Sequence, residues 1–211
     1  MNGEALRGKF IVLDGTEGCG KSTQAQLLRE ALERAGLAVL AVRDPGSTRI
    51  SEQIRSILLD TQNTEMGMRC EMLLYMAARS QMMAELILPA LAEGKVVICD
   101  RFVSSTLAYQ LGGDGLNADQ IRTIADVAIS GRWPDLTIIL DMPPEKSLAR
   151  VQRAKDRIEQ RPMSYHEQVR KNYLAQAQSD EKRYRLISAD RSKELIHADV
   201  LREVESLNVR K

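Results

Sequence analysis

The chain has 211 residues, of which 44% are hydrophobic and 28% charged, with a formal net charge of +1. This length suits one well-buried domain, so we predict a single domain over residues 1–211. The near-neutral charge argues against a nucleic-acid-binding protein, and no apolar run approaches the length of a membrane span. Residues 1–9 lack the apolar core of a signal peptide, and the three cysteines form no disulfide framework. We therefore expect a cytoplasmic protein.

The first predicted strand, residues 10–13, leads into a glycine-rich loop. Gly15 is followed by four residues and then by Gly20, Lys21 and Ser22, the G-x-x-x-x-G-K-[ST] spacing of a phosphate loop before a helix. Glycines accept positive φ, so the backbone can direct its N–H groups at an anion, and the helix N-terminus adds positive charge. We predict that Lys21 reaches the β- and γ-phosphates and that the Ser22 hydroxyl binds Mg²⁺.

The whole loop is predicted to bind ATP. Its residues are Gly15, Thr16, Glu17, Gly18, Cys19, Gly20, Lys21, Ser22 and Thr23. Cys19 lies beside Lys21 and a helix N-terminus, which would lower the pKa of its thiol; the alternative, a small residue that merely fits, is equally open.

Strands and helices alternate along the rest of the chain. Further strands are predicted at residues 38–42, 96–99, 136–140 and 185–188. Helices are predicted at residues 21–35, 51–59, 65–93 (with a bend near Pro89) and 193–207. Two more helices are predicted to begin at Asn117 and after Pro143-Pro144. Five strands alternating with helices predict an α/β fold of the P-loop kinase type, in which a five-stranded parallel sheet has helices on both faces.

The strand at residues 96–99 ends at Asp100 and Arg101, a pair that indicates a reaction centre. Because the strand is continuously apolar, we expect it to be buried and to deliver both side chains to the carboxyl edge of the sheet. Asp100 is predicted to act on Mg²⁺ through water, and Arg101 to bind phosphate in a bidentate manner.

Four stretches together resemble one family. Residues 100–110, Asp-Arg-Phe-Val-Ser-Ser-Thr-Leu-Ala-Tyr-Gln, are similar to the D-R-[YF]-x-x-S-[ST]-x-A-Y-Q signature of thymidylate kinases. Residues 43–48 are similar to that family's R-E-P-G-G-T, residues 73–81 to L-L-F-x-A-x-R-x-Q, and residues 156–159 to D-R-[IL]-E. The resemblance runs from about residue 10 to residue 173 in one order. It implies transfer of a phosphoryl group from ATP to dTMP for dTTP synthesis, with Mg²⁺, in a homodimer without a nucleic-acid or membrane partner.

The resemblance also implies roles on the base side of the acceptor. Tyr75, in the place of the family's phenylalanine, would stack on thymine, and Arg79 would donate to a thymine carbonyl. Thr106 and Gln110 would form hydrogen bonds with the base edge. Independently of the family, an aromatic face with hydrogen-bonding neighbours is what recognition of a base requires.

Further roles concern the sugar and phosphate. Arg55 and Arg101 would hold the 5′-phosphate, and Asp44 would order waters at the metal and that phosphate. Glu17 would lie near the 3′-hydroxyl, and Tyr109 would exclude a 2′-hydroxyl.

A cationic segment at about residues 148–170 is predicted to be a helical lid. Its cations are Arg150, Arg153, Lys155, Arg157, Arg161 and Arg170. Gly18 stands where one branch of the family has a catalytic arginine, and the resemblance implies that the lid supplies that group instead. We predict Arg153 and Arg157 as catalytic, together with Lys21 and Arg101. Arg161 and Arg170 are interpreted as a solvated face.

Two alternatives stay open at this point. The chain differs from the family pattern at Tyr75 and in the stretch Asp44-Pro45-Gly46-Ser47. These differences would be compatible with another nucleoside monophosphate as acceptor. A nucleotide-binding regulatory switch would use the same loop, although such a protein has no need of a second nucleotide pocket.

Overall fold

A central parallel sheet organises the fold. The structure is a computed structural model that describes residues 3–207. Within that range the strands are β1 (Phe10–Gly15), β2 (Val39–Arg43), β3 (Val96–Asp100), β4 (Leu136–Asp141) and β5 (Tyr184–Ser188). They are all paired in parallel, in the order β2-β3-β1-β4-β5. The prediction of an α/β fold with a five-stranded parallel sheet is therefore confirmed.

Helices cover both faces of this sheet. They are α1 (Lys21–Arg34), α2 (Arg49–Leu59), α3 (Met68–Met82), α4 (Leu88–Ala92), α5 (Val103–Tyr109), α6 (Ala118–Ala128), α7 (Pro144–Ala149), α8 (Met163–Ser179) and α9 (Lys193–Ser206). Local sequence explains their starts: the Thr48 side chain caps α2, and Asn117 and Gln120 form a capping box at α6. Among the described residues, no helix has the length and apolar character needed to cross a membrane.

The long helical stretch expected around Pro89 is divided by a π-helical turn. That turn, Met83–Ile87, separates α3 from α4. Proline has no N–H, and its ring clashes with the carbonyl four residues earlier. The helix widens just before Pro89 in consequence.

The predicted lid is helical only at its ends, so the expectation of a helical lid needs correction. Between α7 and α8, residues 150–162 form turns and irregular structure. The Asp156 carboxylate accepts the backbone N–H groups of Ile158 and Glu159, at 3.0 Å each. Side-chain bonds of this kind offer the backbone an alternative to a helix.

Three apolar clusters hold the layers together. The first joins the sheet to α3, α4 and α6, the second joins it to α1 and α9, and the third packs α5 and α8 against β4. β1 lies in the middle, buried along its whole length. The loop after β1 is therefore at the centre of the carboxyl edge, where open parallel sheets bind ligands.

Candidate active site

The loop between β1 and α1 can adopt its shape only with glycine at two positions. Gly15 has φ 137°, and a Cβ there would lie 2.4 Å from the Leu140 carbonyl oxygen. Gly18 has φ 71°, and a Cβ there would lie 2.0 Å from the Ser147 carbonyl oxygen. An arginine in place of Gly18 is thus excluded by the backbone of α7, so an arginine that reaches this loop would have to come from another part of the chain.

Lys21 is held inside this loop. Its Nζ donates to the carbonyl oxygens of Gly15, at 3.2 Å, and Thr16, at 2.6 Å. Although the side chain is buried, the residue borders a cavity above the loop. We call this cavity, which Gly18, Lys21, Ser22 and Asp100 help to line, the loop cavity.

Ser22 and Asp100 are the residues that could hold a magnesium ion. The Ser22 hydroxyl donates to Asp100 Oδ2 at 2.5 Å, so two oxygen ligands converge at the rim of the loop cavity. Mg²⁺ prefers oxygen ligands and is usually bound by one or two carboxylates plus substrate phosphates. Residues 3–207 contain no cluster of three or more His, Cys, Asp or Glu that could hold a metal ion by itself.

Arg101 and Glu17 connect β3 to the loop. Arg101 donates to the Gly15 carbonyl oxygen at 3.0 Å and to Glu17 Oε1 at 2.8 Å, and the Tyr109 hydroxyl donates to Glu17 Oε2 at 2.6 Å. Burial by itself would raise the pKa of Glu17, but the charges of Arg101 and Lys21 outweigh it and lower that pKa. Glu17 is therefore an ionised anchor that keeps Arg101 and Tyr109 aligned.

Asp14 is a buried residue of this site that the sequence analysis missed. Its carboxylate accepts the hydroxyls of Ser104 (2.5 Å), Ser105 (2.7 Å) and Tyr173 (2.6 Å). It thereby fastens α5 and α8 to the end of β1, beside Arg101. The available signal was an acidic residue directly after an apolar strand and before the first loop glycine.

Arg79 is fixed deep in the site by several partners. Its Nε donates to Asp44 Oδ2 at 2.7 Å, and its Nη2 donates to the Phe102 carbonyl oxygen at 3.1 Å. Both terminal guanidinium nitrogens lie 3.4 Å from the Thr106 hydroxyl oxygen. Burial raises the pKa of Asp44 and the charge of Arg79 opposes that rise. Asp44 Oδ1 is buried and has no hydrogen-bond partner among the described residues.

A second buried acid, Glu71, was also missed. It accepts the side-chain amide of Gln110 at 2.8 Å, and two arginines of the lid segment bond its other oxygen. Its position four residues before Tyr75, on the same helix, was the available signal.

All the predicted substrate-binding residues line one cavity, which we call the inner cavity. They are Glu17, Asp44, Arg55, Tyr75, Arg79, Arg101, Thr106, Tyr109 and Gln110. Burial raises the pKa of Tyr75 and of Tyr109, so both are neutral phenols. Arg55 donates to the Pro45 carbonyl oxygen at 3.0 Å and borders both cavities. The structure brings these side chains together, and their individual roles stay predictions.

The lid arginines occupy different environments. Arg153 borders both cavities, is 59% exposed, and forms a bidentate pair with Glu159 at 2.7 and 2.9 Å. Arg157 is only 9% exposed, and its guanidinium donates to Glu71 at 2.5 Å and to the Leu58 carbonyl oxygen at 2.9 Å. The structure therefore places Arg153, but not Arg157, against both cavities. A catalytic role for Arg157 stays a prediction that this geometry does not support.

Two expectations about charged and polar groups are wrong. Arg161 does not lie on a solvated face, because it donates to buried Glu71, whereas Arg170 is 32% exposed and forms a bidentate pair with Asp141. The pKa of Cys19 is raised, not lowered: the thiol is 1% exposed, and burial outweighs the charge of Lys21. Cys19 is thus the small residue that fits.

The fold and the site define a P-loop kinase, with a phosphate loop facing a second, aromatic and arginine-lined cavity. The family model described as thymidylate kinase matches residues 13–200. A thymidylate kinase from Pelotomaculum thermopropionicum is 45% identical over 205 residues, which cover 96% of this chain and 95% of the relative. One from Bacillus pumilus is 42% identical over 95% of this chain and 96% of its own length.

A solved structure agrees with these relatives. The crystal structure of thymidylate kinase from Ehrlichia chaffeensis superposes with a TM-score of 0.78 at 28% identity, covering 94% of this chain and 99% of that one. The chain belongs to the thymidylate kinase family.

Proposed function

We propose that this protein transfers the γ-phosphoryl group of ATP to dTMP, giving ADP and dTDP for nucleotide synthesis. The observation that carries the proposal is the pair of adjoining cavities. The loop cavity is lined by Gly18, Lys21 and Ser22 of the phosphate loop, and the inner cavity is lined by all the predicted base, sugar and phosphate contacts. Glu17, Asp44, Arg55, Arg101 and Arg153 border both, so a donor and an acceptor would meet among these charges.

On the donor side, the loop N–H groups, the N-terminus of α1 and Lys21 would hold the ATP phosphates. Lys21 would exchange its bonds to the Gly15 and Thr16 carbonyls for phosphate oxygens. Ser22 and Asp100 would hold Mg²⁺, which when bound would neutralise part of the phosphate charge. The protein's own contribution is to fix these groups before the reaction, which lowers the cost of reorganisation.

On the acceptor side, the nucleophile is an oxygen of the dTMP phosphate. Its second pKa is about 6, so it is largely ionised at neutral pH and no general base is required. Arg101 and Arg55 would position this phosphate, and Glu17 keeps Arg101 aligned through a 2.8 Å bond. Catalysis is then positioning and charge neutralisation.

We infer that Arg153 is the lid arginine that meets the transferring phosphoryl group. It borders both cavities and its side chain is 59% exposed, so its guanidinium is within reach of ligands in either cavity. Arg150 also lines the loop cavity and is the next candidate. The lid, about residues 148–170, would exclude water and so suppress hydrolysis of ATP.

The cytoplasmic location and the homodimer are also proposals. Large apolar side chains are exposed on α2 (Ile50, Ile57) and on α3 (Leu73), which supports self-association. Light scattering after size exclusion would test the dimer, and a monomer at micromolar concentration would contradict it.

The test of the function is a coupled assay of ADP release with dTMP, dUMP, dCMP, dAMP and dGMP. The proposal expects the highest kcat/KM with dTMP. A higher value with another monophosphate would favour a different acceptor, and no turnover with any of them would favour a regulatory switch.

A further inference from the structure

A buried carboxylate outside the predicted site forms a hydrogen bond with one of the predicted base-side residues. Glu71, in the first turn of α3, is 0% exposed. Its Oε2 accepts hydrogen bonds from the guanidinium groups of Arg157, at 2.5 Å, and Arg161, at 2.7 Å. Its Oε1 accepts a hydrogen bond from Nε2 of Gln110 at 2.8 Å. Two guanidinium groups therefore bond one oxygen of Glu71 and an amide bonds the other, so both oxygens act as acceptors.

Because both oxygens of Glu71 accept hydrogen bonds, the orientation of the Gln110 side-chain amide is fixed. The amide nitrogen must face Glu71, so the amide oxygen points away from it. Turning the amide by 180° would place two acceptors against each other in a buried position, which costs the desolvation energy of both. Gln110 itself is 2% exposed and lines the inner cavity.

We propose that Glu71 is a positioning residue for base specificity: it holds Gln110 so that a hydrogen-bond acceptor faces the base. This inference rests on the proposed function. A fixed acceptor selects a base whose edge carries a ring N–H, as thymine and uracil do at N3, and rejects cytosine, whose N3 is itself an acceptor.

Arg79 supplies the complementary half of this pattern. It has only donors, and Asp44 and the Phe102 carbonyl hold its guanidinium in place. A fixed donor beside a fixed acceptor matches a carbonyl beside a ring N–H. Arg157 and Arg161 form ion pairs with Glu71, which accounts for the low exposure of their side chains, 9% and 19%.

The test variant is Glu71→Gln, which keeps the shape but can both donate and accept. Gln110 could then turn over, so the ratio of kcat/KM for dTMP to that for dCMP should fall by about tenfold or more, with a similar fall in the ratio of their association constants. The matched control is Glu85→Gln, because Glu85 accepts a glutamine amide at 2.9 Å in an exposed position. The control should leave the ratio unchanged.

The double variant Glu71→Gln/Gln110→Glu exchanges the two partners. The new amide at position 71 would donate to the new carboxylate at position 110, whose second oxygen again faces the base as an acceptor. Discrimination against dCMP should therefore return. A merely structural role of Glu71 predicts no such recovery. An unchanged ratio in Glu71→Gln, or no recovery in the exchange, would overturn the inference.

If Glu71→Gln does not fold, NMR of the wild-type protein tests the inference instead. The side-chain amide signal of Gln110, assigned by its loss in Gln110→Met, should show protected protons before and after dTMP is added. Rapid exchange of these protons in the free protein would also overturn the inference. Absence of dTMP turnover by the wild type would instead refute the proposed function.

Discussion

Replacing Arg79 by methionine tests whether this residue serves the fold, the ligand or both. Arg79 and Asp44 form a salt bridge of 2.6 Å in which each side chain is 1% exposed. The variant Arg79→Met would leave the Asp44 carboxylate buried without its partner. Breaking one side of such a pair costs about 3–5 kcal/mol of unfolding free energy.

A second substitution separates the two roles. In Arg79→Met/Asp44→Asn the isolated charge is gone, and what remains is an incompletely bonded neutral amide, which costs about 1–3 kcal/mol. The double variant should therefore recover about 1–3 kcal/mol of the loss. It should still bind dTMP at least about tenfold more weakly than wild type, because the donor to the base carbonyl is missing.

Urea unfolding gives the stability, and calorimetry gives the affinities for dTMP and ATP. Arg170→Met is the matched control: Arg170 also forms a bidentate pair, with Asp141, but lines neither cavity and is 32% exposed. It should cost about 1 kcal/mol or less and leave both affinities near wild type.

Two results would refute this reasoning. Wild-type stability of Arg79→Met would mean that the buried pair does not require both charges. Wild-type affinity of the double variant for dTMP would mean that Arg79 does not recognise the base.

Three further predictions follow from the same contacts. Arg153→Ala should lower kcat by about two to three decades with little change in nucleotide affinity, whereas Arg157→Ala should chiefly lower the unfolding free energy. Steady-state kinetics would measure the first effect and urea unfolding the second. The opposite pattern would mean that Arg157 is the catalytic arginine and Arg153 the structural one. Iodoacetamide at neutral pH should label exposed Cys70 before buried Cys19, as read by peptide mass spectrometry; faster labelling of Cys19 would contradict the burial argument. Burial by itself would raise the pKa of Asp135, but a backbone N–H, an arginine and a lysine outweigh burial, so the pKa is lowered. The contribution of Asp135 to stability, present at neutral pH, should therefore be lost as pH falls below about 4. Asp135→Asn should flatten that part of the curve of unfolding free energy against pH.

The sequence alone determined the features that depend on local spacing. The phosphate loop follows from Gly15, Gly20 and Lys21 at fixed intervals, and the five strands follow from short apolar runs bounded by turns. The nine predicted substrate contacts came from motifs, and the structure brings them to one cavity. These predictions succeed because strand ends in a parallel sheet meet at one edge, wherever the strands lie in the chain.

Only the tertiary structure decided which charges pair and which stay free. Arg157 and Arg161 contact Glu71 across 86 and 90 residues of chain, and no pattern within the lid distinguishes them from Arg153. The raised pKa of Cys19 likewise depends on packing: local charge argued for a thiolate, and burial outweighed it. Burial and ion pairing are sums over neighbours from distant parts of the chain, so they exist only once the chain has folded.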